Sequence, residues 1–263
     1  MGEIGGDIVI VKCGGSVLES LSDEFFQSIK ALKEAGKQPI IVHGGGPSIQ
    51  QLLEQLKIEC QFVDGLRKTS TAVLRVVDLV LSGELNGMLV RRLQKAGVAA
   101  VGLSGYDGGL LKAKAKDVER LGLVGEVMEV NTSFLHQLLA MEMVPVIAPV
   151  AMGLDGADRY NVNADSAAGA IAAALGASKL LFVTDVAGII INNQVVEEVT
   201  TADIHAMVAD GTIYGGMIPK VEAALHSLQG GIHEAMIVSG LSSLMVGGEM
   251  MGTTIKKSTG VLE

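Results

Sequence analysis

Residues 39–47 read PIIVHGGGP, and this stretch decides the fold of the chain. Its first part, from Pro39 to Val42, is apolar and largely β-branched, which predicts a strand buried on both faces of a parallel sheet. The glycine triplet then runs into Pro47, a residue that the first turn of a helix accepts because the N–H it lacks has no partner there. Apolar residues follow at helical spacing: Ile49, Leu52, Leu53 and Leu56. The stretch therefore predicts a strand, a glycine loop and a helix in immediate succession.

A similar unit opens the chain. Residues 8–16 read IVIVKCGGS, a β-branched run that ends in a lysine and a glycine turn. Short apolar runs alternate with helix-period stretches from there onward, without a repeat or a linker, which is typical of an α/β fold with a largely parallel sheet. Residues 71–95 predict a long helix that is broken near Ser82 and Gly83. We expect an irregular loop at residues 155–158, before residues 161–165.

The pattern between about Leu111 and Val130 is one of alternation, which predicts a β-hairpin. On its first strand Lys112, Lys114 and Lys116 alternate with alanine. Lysines in such a row usually guard an exposed strand edge against aggregation, and we interpret them in this way. An anion site is the alternative interpretation.

The composition excludes several classes of protein. Of the 263 residues 49% are hydrophobic, 19% charged and 3% aromatic, so the chain can bury a large aliphatic core and is too apolar to be disordered. The net charge of -9 argues against binding to a phosphate backbone, because such binding depends on clustered Lys and Arg. We therefore expect no nucleic acid as a partner.

Cysteine spacing and hydropathy bear on where the protein acts. Cys13 and Cys60 form no C-x-x-C pair, so neither a disulfide framework nor a zinc ribbon is indicated. Residues 1–7 contain no basic segment followed by an apolar one, as a secretion signal would. Uncharged stretches such as Ser166 to Ser178 are shorter than the roughly 18 to 20 apolar residues that cross a membrane. We predict a cytoplasmic protein without membrane attachment.

Several common catalytic motifs are absent from the sequence. Gly36 and Lys37 are followed by Gln38, so there is no Walker-type phosphate loop, and residues 44–49 lack the third glycine of the dinucleotide-binding fingerprint. Neither H-E-x-x-H nor G-x-S-x-G occurs. The five histidines have no metal-ligand spacing, so we predict no metal centre held by protein ligands.

The chemistry that the sequence does offer lies at the ends of two strands. Lys12 and the turn at Gly14 and Gly15 bring a cation and backbone N–H groups to the carboxyl edge of the sheet, a combination that suits phosphate. Residues 44–46 offer a second anion-binding helix N-terminus. The alternatives are a lysine whose head group reaches solvent, and a simple tight turn. Because ligands of open α/β sheets bind beyond the carboxyl ends of strands, we expect both loops to face one crevice.

Six segments together resemble the amino acid kinase family over about residues 8–254: VKCGGS at 11–16, HGGGP at 43–47, GLR at 65–67, NVNAD at 161–165, TDVAGI at 184–189 and GMIPK at 216–220. The resemblance implies a three-layer αβα sandwich around a mostly parallel central sheet, the carbamate kinase-like fold. It also implies two lobes that meet near Gly176. Residues 1–176 would form an N-lobe for an acidic amino acid and for dimerisation, and residues 177–263 a C-lobe for ATP.

The reaction that the resemblance implies is transfer of the ATP γ-phosphoryl group to the side-chain carboxylate of N-acetyl-L-glutamate, giving an acyl phosphate for arginine biosynthesis. A carboxylate with a pKa of about 4.3 is already ionised at neutral pH, so this nucleophile needs no general base. Two alternatives stay open at this point. One is a kinase for carrier-blocked 2-aminoadipate or another acidic amino acid, and the other is a non-catalytic sensor of nucleotides or metabolites.

The family motifs also imply roles for particular residues. Lys12 and Lys220 would supply positive charge to the transition state from opposite lobes, and Asp165 would pair with both of them. An Asp favoured by the dipole of the helix behind it is the alternative for Asp165. The substrate-binding residues implied by the resemblance are Gly45, Gly46, Arg67, Asn161 and Asn163. Arg67 would grip the α-carboxylate in a two-pronged hydrogen bond, whereas ordinary turn chemistry is the alternative for the two asparagines.

ATP is the cosubstrate that the resemblance implies, and Mg²⁺ would arrive with it, held mainly by the phosphates. No carboxylate cluster suggests a separate metal site in the protein. The residues that match the nucleotide-binding segments of the family are Gly14, Gly15, Asp185, Val186, Ala187, Gly188, Ile189, Ile190, Thr212, Ile213, Tyr214 and Met217.

A few positions depart from the family pattern. Lys68, Ser70 and Gly87 stand where Val, Asp and Lys are expected, so the substrate side is slightly atypical. Cys13 takes a position that is usually apolar, and we interpret it as a small hydrophobe, with a redox role as the alternative. Few residues precede the first predicted strand, whereas hexameric relatives that arginine inhibits carry an added N-terminal helix. We therefore expect a homodimer that is insensitive to arginine.

Overall fold

The computed structural model describes residues 7–258, and strands and helices alternate along it as the sequence predicts. Its strands are β1 (Ile8–Cys13), β2 (Gln38–His43), β3 (Phe62–Val63), β4 (Leu66–Arg67), β5 (Ala100–Ser104), β6 (Leu111–Ala115), β7 (Val124–Val130), β8 (Val144–Ala148), β9 (Val150–Gly153), β10 (Arg159–Val162), β11 (Lys179–Thr184), β12 (Ile190–Ile191), β13 (Gln194–Val195), β14 (Glu198–Thr200), β15 (Glu234–Ser239), β16 (Met245–Val246), β17 (Glu249–Met250) and β18 (Thr253–Lys256).

The α-helices of the same region are α1 (Asp23–Glu34), α2 (Gly46–Gln55), α3 (Thr71–Asp78), α4 (Asn86–Lys95), α5 (Val118–Leu121), α6 (Thr132–Ala140), α7 (Ala164–Leu175), α8 (Thr201–Ala209) and α9 (Ile218–Gln229). Short 3-10 turns lie at Leu18–Ser20, Asp107–Gly109 and Gly215–Met217. Among the described residues, no helix is both long and apolar enough to cross a membrane.

An eight-stranded sheet in the order β14-β18-β15-β11-β1-β2-β8-β5 forms the centre of the molecule. Strand β1 lies inside it and pairs in parallel with β2 on one side and β11 on the other, and only the β15–β18 contact is antiparallel. The sheet therefore runs without interruption through both predicted lobes. Residue Gly176 ends α7 in the left-handed conformation at φ 59°. The division into two lobes at this residue stays a prediction. The ends of the two predicted lobes, residues 1–6 and 259–263, lie outside the described part of the chain.

Two hydrophobic clusters cover the two faces of the sheet. Val9 and Val11 of β1 belong to a cluster with residues of α1, α2, α3 and α4, whereas Ile8 and Ile10 belong to a cluster with residues of α6, α7, α8 and α9. Successive residues of a strand point to opposite faces, so both faces of β1 are buried under helices. The predicted three-layer αβα sandwich is confirmed.

A second, smaller sheet is the closed barrel β10-β7-β6-β9. The predicted hairpin is confirmed as β6 paired antiparallel with β7. The predicted loop at residues 155–158 is also present, and it connects β9 and β10, which form a second hairpin that the sequence did not indicate. The interpretation of the lysine row as an edge guard is wrong, because the barrel closes on itself and β6 has a neighbour on each side. Lys112 and Lys114 instead pair across the strands with Glu129 and Glu126, at 2.8 and 3.4 Å.

The predicted interruption of the helix over residues 71–95 is confirmed, and it takes the form of a π-helical segment rather than a gap between two helices. Between α3 and α4 the residues Leu79–Leu85 form a π-helical segment, which includes the Ser82 and Gly83 pair. Asp78 at its start accepts hydrogen bonds from Ser82 Oγ at 2.8 Å and from Tyr106 Oη at 3.1 Å, and it pairs with Arg159. Such π segments often lie at functional sites, and this one packs against the glycine loop that follows β2.

Candidate active site

A cavity of about 450 Å³ lies beyond the carboxyl ends of β1 and β2. Eight of the predicted site residues line it: Lys12, Gly15, Gly45, Gly46, Arg67, Asn161, Asn163 and Asp165. These residues come from four distant parts of the sequence, and the parallel sheet brings them to one edge. Gln50, Phe62 and Leu81 also line the cavity, and they are not among the predicted site residues.

The two glycine loops face each other across the top of the sheet, as predicted. A Cβ atom on Gly15 would stand 2.6 Å from the Gly45 nitrogen and 2.7 Å from the Gly46 nitrogen, closer than any side chain tolerates. On its other side Gly45 is equally restricted, because a Cβ there would lie 2.4 Å from Leu85 Cδ1 and 2.6 Å from Leu81 Cδ2. Glycine is needed at both positions for the loops to approach each other and the π-helical segment.

The backbone amides of these loops divide into two groups. Gly14 N donates to Val183 O at 3.2 Å and Gly44 N to Cys13 O at 2.9 Å, so both of these groups belong to the sheet end. Within the described chain, no hydrogen bond uses the amides of Gly15, Gly45 or Gly46. The predicted phosphate role of Gly14 is therefore not available to its N–H, whereas the other three amides are free to bind an anion.

A lysine and an aspartate meet at one wall of the cavity. Lys12 Nζ lies 2.8 Å from Asp165 Oδ1, and 14% and 31% of the two side chains are exposed. Asp165 lies in the first turn of α7, where the helix dipole favours a negative charge. Asn163 caps this helix, because its Oδ1 accepts from the amides of Asp165 and Ser166 at 2.9 and 3.0 Å. Both residues therefore also act at the start of α7, Asp165 through the helix dipole and Asn163 as the cap.

The second lysine has a different partner from the one predicted. Lys220 Nζ lies 2.9 Å from Asp185 Oδ1 at the end of β11, rather than against Asp165. The hydrogen bond from Lys220, followed by one from Thr184, holds the pKa of Asp185 below its usual value. Asp165 thus pairs with one of the two lysines in this structure, and each lysine has its own carboxylate.

Arg67 lies on β4 and is 8% exposed. Its Nη1 donates to Gln50 Oε1 at 2.8 Å and to Cys60 Sγ at 3.3 Å, its Nη2 donates to Gly46 O at 3.2 Å, and its guanidinium stacks 4.6 Å from the Phe62 ring centre. A guanidinium has five N–H groups. These bonds therefore leave part of its donor fork for a ligand in the cavity.

Asn161 connects to the Arg67 segment through a buried threonine. Asn161 Nδ2 donates to Thr69 Oγ1 at 3.0 Å, and Thr69 Oγ1 donates to Arg67 O at 2.6 Å. Thr69 is fully buried and also pairs with Gly122 through a backbone bridge. The two predicted substrate-binding residues are thus held in one hydrogen-bonded unit, and Thr69, the residue between them, is not among the predicted site residues.

The predicted nucleotide-binding residues of the C-terminal half lie apart from this cavity. Ile189 and Ile213 are buried, and Ile189 N donates to Thr253 Oγ1 at 2.8 Å. Gly188 has φ 151°, and a Cβ on it would stand 2.5 Å from Thr253 Oγ1, so the loop behind β11 is held against β18. By contrast, 75% of Tyr214 is exposed.

Two further predictions concern cysteine and metal. Cys13 is fully buried, and burial raises the pKa of its thiol to about 12, against the smaller opposing effect of Lys12. The interpretation of Cys13 as a small hydrophobe fits this environment. Among the described residues, no group of three or more His, Cys, Asp or Glu side chains is placed to hold a metal ion.

A mostly parallel sheet between two helical layers, with a lysine and two glycine loops at its carboxyl edge, is typical of proteins that bind phosphate groups. The chain belongs to the amino acid kinase family. The profile of this family matches residues 7–239. The protein named acetylglutamate kinase from Halalkalibacterium halodurans is 53% identical to this chain over 253 residues, which cover 96% of this chain and 97% of the relative. The predicted family membership is confirmed.

Solved structures support the same fold. The smu.665 protein of Streptococcus mutans superposes with a TM-score of 0.81 at 32% identity, over 95% of this chain and 98% of that protein. The carbamate kinase of Giardia superposes with a TM-score of 0.69 at 17% identity, over 97% of this chain and 100% of that protein. The predicted carbamate kinase-like fold is confirmed.

Proposed function

We propose that this protein is an ATP-dependent kinase that transfers the γ-phosphoryl group of ATP to the side-chain carboxylate of N-acetyl-L-glutamate. The product is N-acetylglutamyl 5-phosphate, an acyl phosphate of arginine biosynthesis. One observation carries the proposal, namely the cavity in which Lys12, three free glycine amides and Arg67 meet. The name and the full-length similarity of the acetylglutamate kinase from Halalkalibacterium halodurans support the choice of substrate.

The bond changes of this reaction are simple. A carboxylate oxygen of the substrate attacks the γ-phosphorus, and the bond between that phosphorus and the bridging oxygen to the β-phosphate breaks, so ADP leaves. The attacking carboxylate is ionised at neutral pH and gives up no proton. A general base is therefore unnecessary, and the burden on the protein is to position two anions and to compensate their charge.

Charge compensation would come from Lys12 and the glycine loops. The loose transition state of phosphoryl transfer spreads negative charge over the equatorial oxygens, where amide N–H groups and an ammonium group stabilise it. Lys12 lies beside the free amides of Gly15, Gly45 and Gly46 on the same cavity. Asp165 would hold Lys12 in place, as the 2.8 Å ion pair indicates, and Lys220 would act from the nucleotide side.

Recognition of the acceptor would rest on the Arg67 and Asn161 unit. The guanidinium of Arg67 is fixed by Gln50 and by Gly46 O, so its remaining N–H groups are already oriented for a planar carboxylate. Asn161 would bind the acetamido end of the substrate through the parts of its amide that Thr69 does not use. Asn163 would contribute its Nδ2, since Oδ1 caps α7.

The nucleotide would bind at the C-terminal half of the sheet edge. The proposed contacts are the loop from Asp185 to Ile190, the Thr212 to Tyr214 segment, Met217 and Lys220. Mg²⁺ would arrive with ATP and would supply positive charge that neutralises part of the phosphate charge. This region fits a nucleotide that brings its own metal. The loop from Asp185 to Ile190 has one carboxylate, Asp185, and that carboxylate is already paired with Lys220.

The test is ADP release and hydroxamate trapping with MgATP and four acids: N-acetyl-L-glutamate, free glutamate, aspartate and 2-aminoadipate. We expect acyl phosphate with N-acetyl-L-glutamate alone. The Lys12→Ala variant, purified in the same way, reports contaminating kinase activity. Selective turnover of another acid would overturn the substrate assignment. Binding of ATP without turnover of any of the four acids would overturn the proposed reaction, in favour of a kinase for a carrier-linked substrate or of a non-catalytic sensor.

Several other expectations stay predictions. We propose that the N-terminal residues 1–176 bind the acidic substrate and the C-terminal residues 177–263 bind ATP, and that the protein is a cytoplasmic homodimer. Light scattering should give twice the monomer mass of 27.3 kDa. Six times that mass would contradict the homodimer.

A further inference from the structure

His43 comes directly before the second glycine loop and lies behind the wall of the cavity, which it does not itself line. It is the last residue of β2 and is fully buried. Its Nδ1 lies 2.9 Å from the carbonyl oxygen of Gly44, and its Nε2 lies 3.3 Å from Asn86 Nδ2. The imidazole therefore bridges the glycine loop on one side and the first residue of α4 on the other.

The contacts of Asn86 decide which nitrogen of His43 carries the proton. Asn86 Nδ2 lies 2.8 Å from Val146 O and 3.3 Å from Leu103 O. Both carbonyl oxygens are acceptors only, so the amide must turn its nitrogen toward them. That nitrogen also faces His43 Nε2, so this ring nitrogen meets only a donor group and has no acceptor there, whereas Nδ1 faces the Gly44 carbonyl oxygen, which only accepts. The proton of the neutral ring consequently sits on Nδ1 and is donated to Gly44 O.

Asn86 itself is fixed by its surroundings. It is 3% exposed and joins the start of α4 to β8 and β5 through the two carbonyl contacts. Gly102 makes room for it, because a Cβ on that residue would stand 2.0 Å from Asn86 Oδ1. Burial also lowers the pKa of His43 to about 4, so the ring stays neutral at physiological pH.

The bond to Gly44 O matters because of what lies at the other end of the same peptide unit. The described chain contains no cis peptide bond, so the Gly44 carbonyl and the Gly45 N–H point in opposite directions. A donor that fixes the carbonyl on the buried side thus aims the Gly45 N–H away from the core. Gly45 lines the cavity, and its amide is one of the three that have no hydrogen-bond partner within residues 7–258.

We propose that His43, held by Asn86, is a positioning residue that orients the Gly45 amide for phosphoryl transfer. The proposal rests on the proposed function, since it concerns the same cavity. His43 exchanges no proton with the substrate. Its role is to keep one peptide plane from rotating, so that a hydrogen-bond donor is already aligned when the transition state forms.

The kinetic test compares His43→Leu with His43→Asn. Leucine has no donor for Gly44 O, whereas the amide nitrogen of asparagine can take the position of Nδ1. We expect His43→Leu to lower kcat by about 10- to 100-fold, somewhat less than the loss of a whole transition-state donor, with less than about a threefold change in the KM for MgATP. His43→Asn should restore at least half of that loss on a logarithmic scale. Equal kcat values for the two variants, or a wild-type kcat in His43→Leu, would overturn the proposal.

A second variant acts on His43 through Asn86. Gly102→Ala places a methyl group against Asn86 without entering the cavity, so it should also lower kcat. The control is Gly36→Ala, whose Cβ meets no atom within 4 Å and which does not line the cavity. Melting temperatures of all variants separate a loss of fold from a loss of alignment. A kcat decrease that follows the melting temperature alone across the set would contradict a positioning role.

The wild-type protein provides a measurement that needs no variant. Long-range ¹H–¹⁵N spectra at pH 7 should show His43 as the neutral Nδ1–H form, and the Gly45 amide signal should shift when N-acetyl-L-glutamate or the ADP product is added. An Nε2–H ring or a charged ring would overturn the proposal even if every variant unfolds. If the wild-type enzyme turns over no acid, the proposed function fails, and that result is distinct from normal turnover with an unaffected His43→Leu.

Discussion

The two lysine and aspartate pairs of the site lie in different environments. Lys12 and Asp165 meet on the cavity wall with 14% and 31% of their side chains exposed, whereas Lys220 and Asp185 are 29% and 62% exposed. Around the first pair, buried contacts fix the glycine loops and Arg67 before any ligand binds. In the segment predicted to bind nucleotide, Tyr214 is largely in solvent. The proposed acceptor side, which comprises Lys12, the glycine loops and Arg67, is thus built by packing. The proposed nucleotide side, which comprises Asp185, Tyr214 and Lys220, is expected to be completed by its ligand.

The largest expected effects test the two lysines directly. Lys12→Ala and Lys220→Ala should each lower kcat by about 100- to 1000-fold, the scale of one transition-state donor. The two variants should differ in stability, because Lys12→Ala leaves Asp165 partly buried without its partner, at a cost of about 1–3 kcal/mol. Steady-state kinetics and urea denaturation measure both quantities. Near-normal turnover of either variant would refute the role of that lysine.

The next prediction tests whether activity depends on the close approach of the two glycine loops. Gly15→Ala should lower kcat/KM for the acceptor by about 100-fold, because a Cβ 2.6 Å from the Gly45 nitrogen must push the loops apart and a shift of about 1 Å can have that effect. The control is Gly36→Ala, which lies far from the cavity at the end of α1 with no atom within 4 Å of a Cβ. It has φ 76°, so it reports backbone strain without a collision. Equal activity losses in both variants would contradict the prediction.

A third prediction concerns the packing of the acceptor side. Arg67→Lys should raise the KM for N-acetyl-L-glutamate by about 10- to 100-fold, since a hydrogen bond to a charged group contributes about 1.5–3 kcal/mol and the ammonium has no planar fork. The KM for MgATP should change little if Arg67 binds the acceptor as proposed, because Arg67 lines the cavity and the predicted nucleotide-binding residues of the C-terminal half do not. Initial rates with each substrate varied in turn measure this. A rise in the KM for MgATP alone would place Arg67 on the wrong side of the cavity.

Much of this site could be predicted from the sequence because its signals are local. A β-branched run followed by glycines predicts a strand end, and parallel strand ends meet at one edge, so the meeting of residues 12–15 with residues 44–46 follows from the α/β pattern. One missed residue also had a local signal. Gln50 follows Gly46 by one helical turn on α2, so both face Arg67 together.

Other features depend on contacts that no local pattern carries. Thr69 joins Arg67 to Asn161 across distant parts of the chain, and the partner of Lys220 is set by the place where β11 ends. The short strands β9 and β10 have too few residues for a clear alternation. Their pairing into a closed barrel is a tertiary outcome, which also changes the meaning of the lysine row on β6.

The fourth prediction uses the pH dependence of stability to test how firmly the acceptor side is packed. Burial lowers the pKa of His43 from 6.5 to about 4 in the folded protein. Between pH 4 and pH 6.5 the unfolded chain binds more protons at His43 than the folded protein does. The stability that comes from keeping this ring neutral is therefore complete above about pH 6.5 and is lost as the pH falls toward 4. The limiting slope is about 1.4 kcal/mol per pH unit. Urea denaturation at pH 7, 6 and 5 should show a steeper loss in the wild type than in His43→Asn. Parallel curves would contradict a buried, neutral histidine.

The smallest expected effect lies on the nucleotide side. Asp185→Asn removes the exposed partner of Lys220, and pairs that are largely in water contribute about 0–1 kcal/mol. Asp165→Asn, the matched change on the acceptor side, removes a better buried carboxylate that also lies in the first turn of α7, so its melting temperature should fall further. The pKa of Asp185 is lowered, and the small stabilisation that its ionised form provides is therefore present at neutral pH and lost only in acid. If Asp185→Asn were the less stable variant, the nucleotide side would be as firmly built as the acceptor side, and the contrast between the two pairs would not hold.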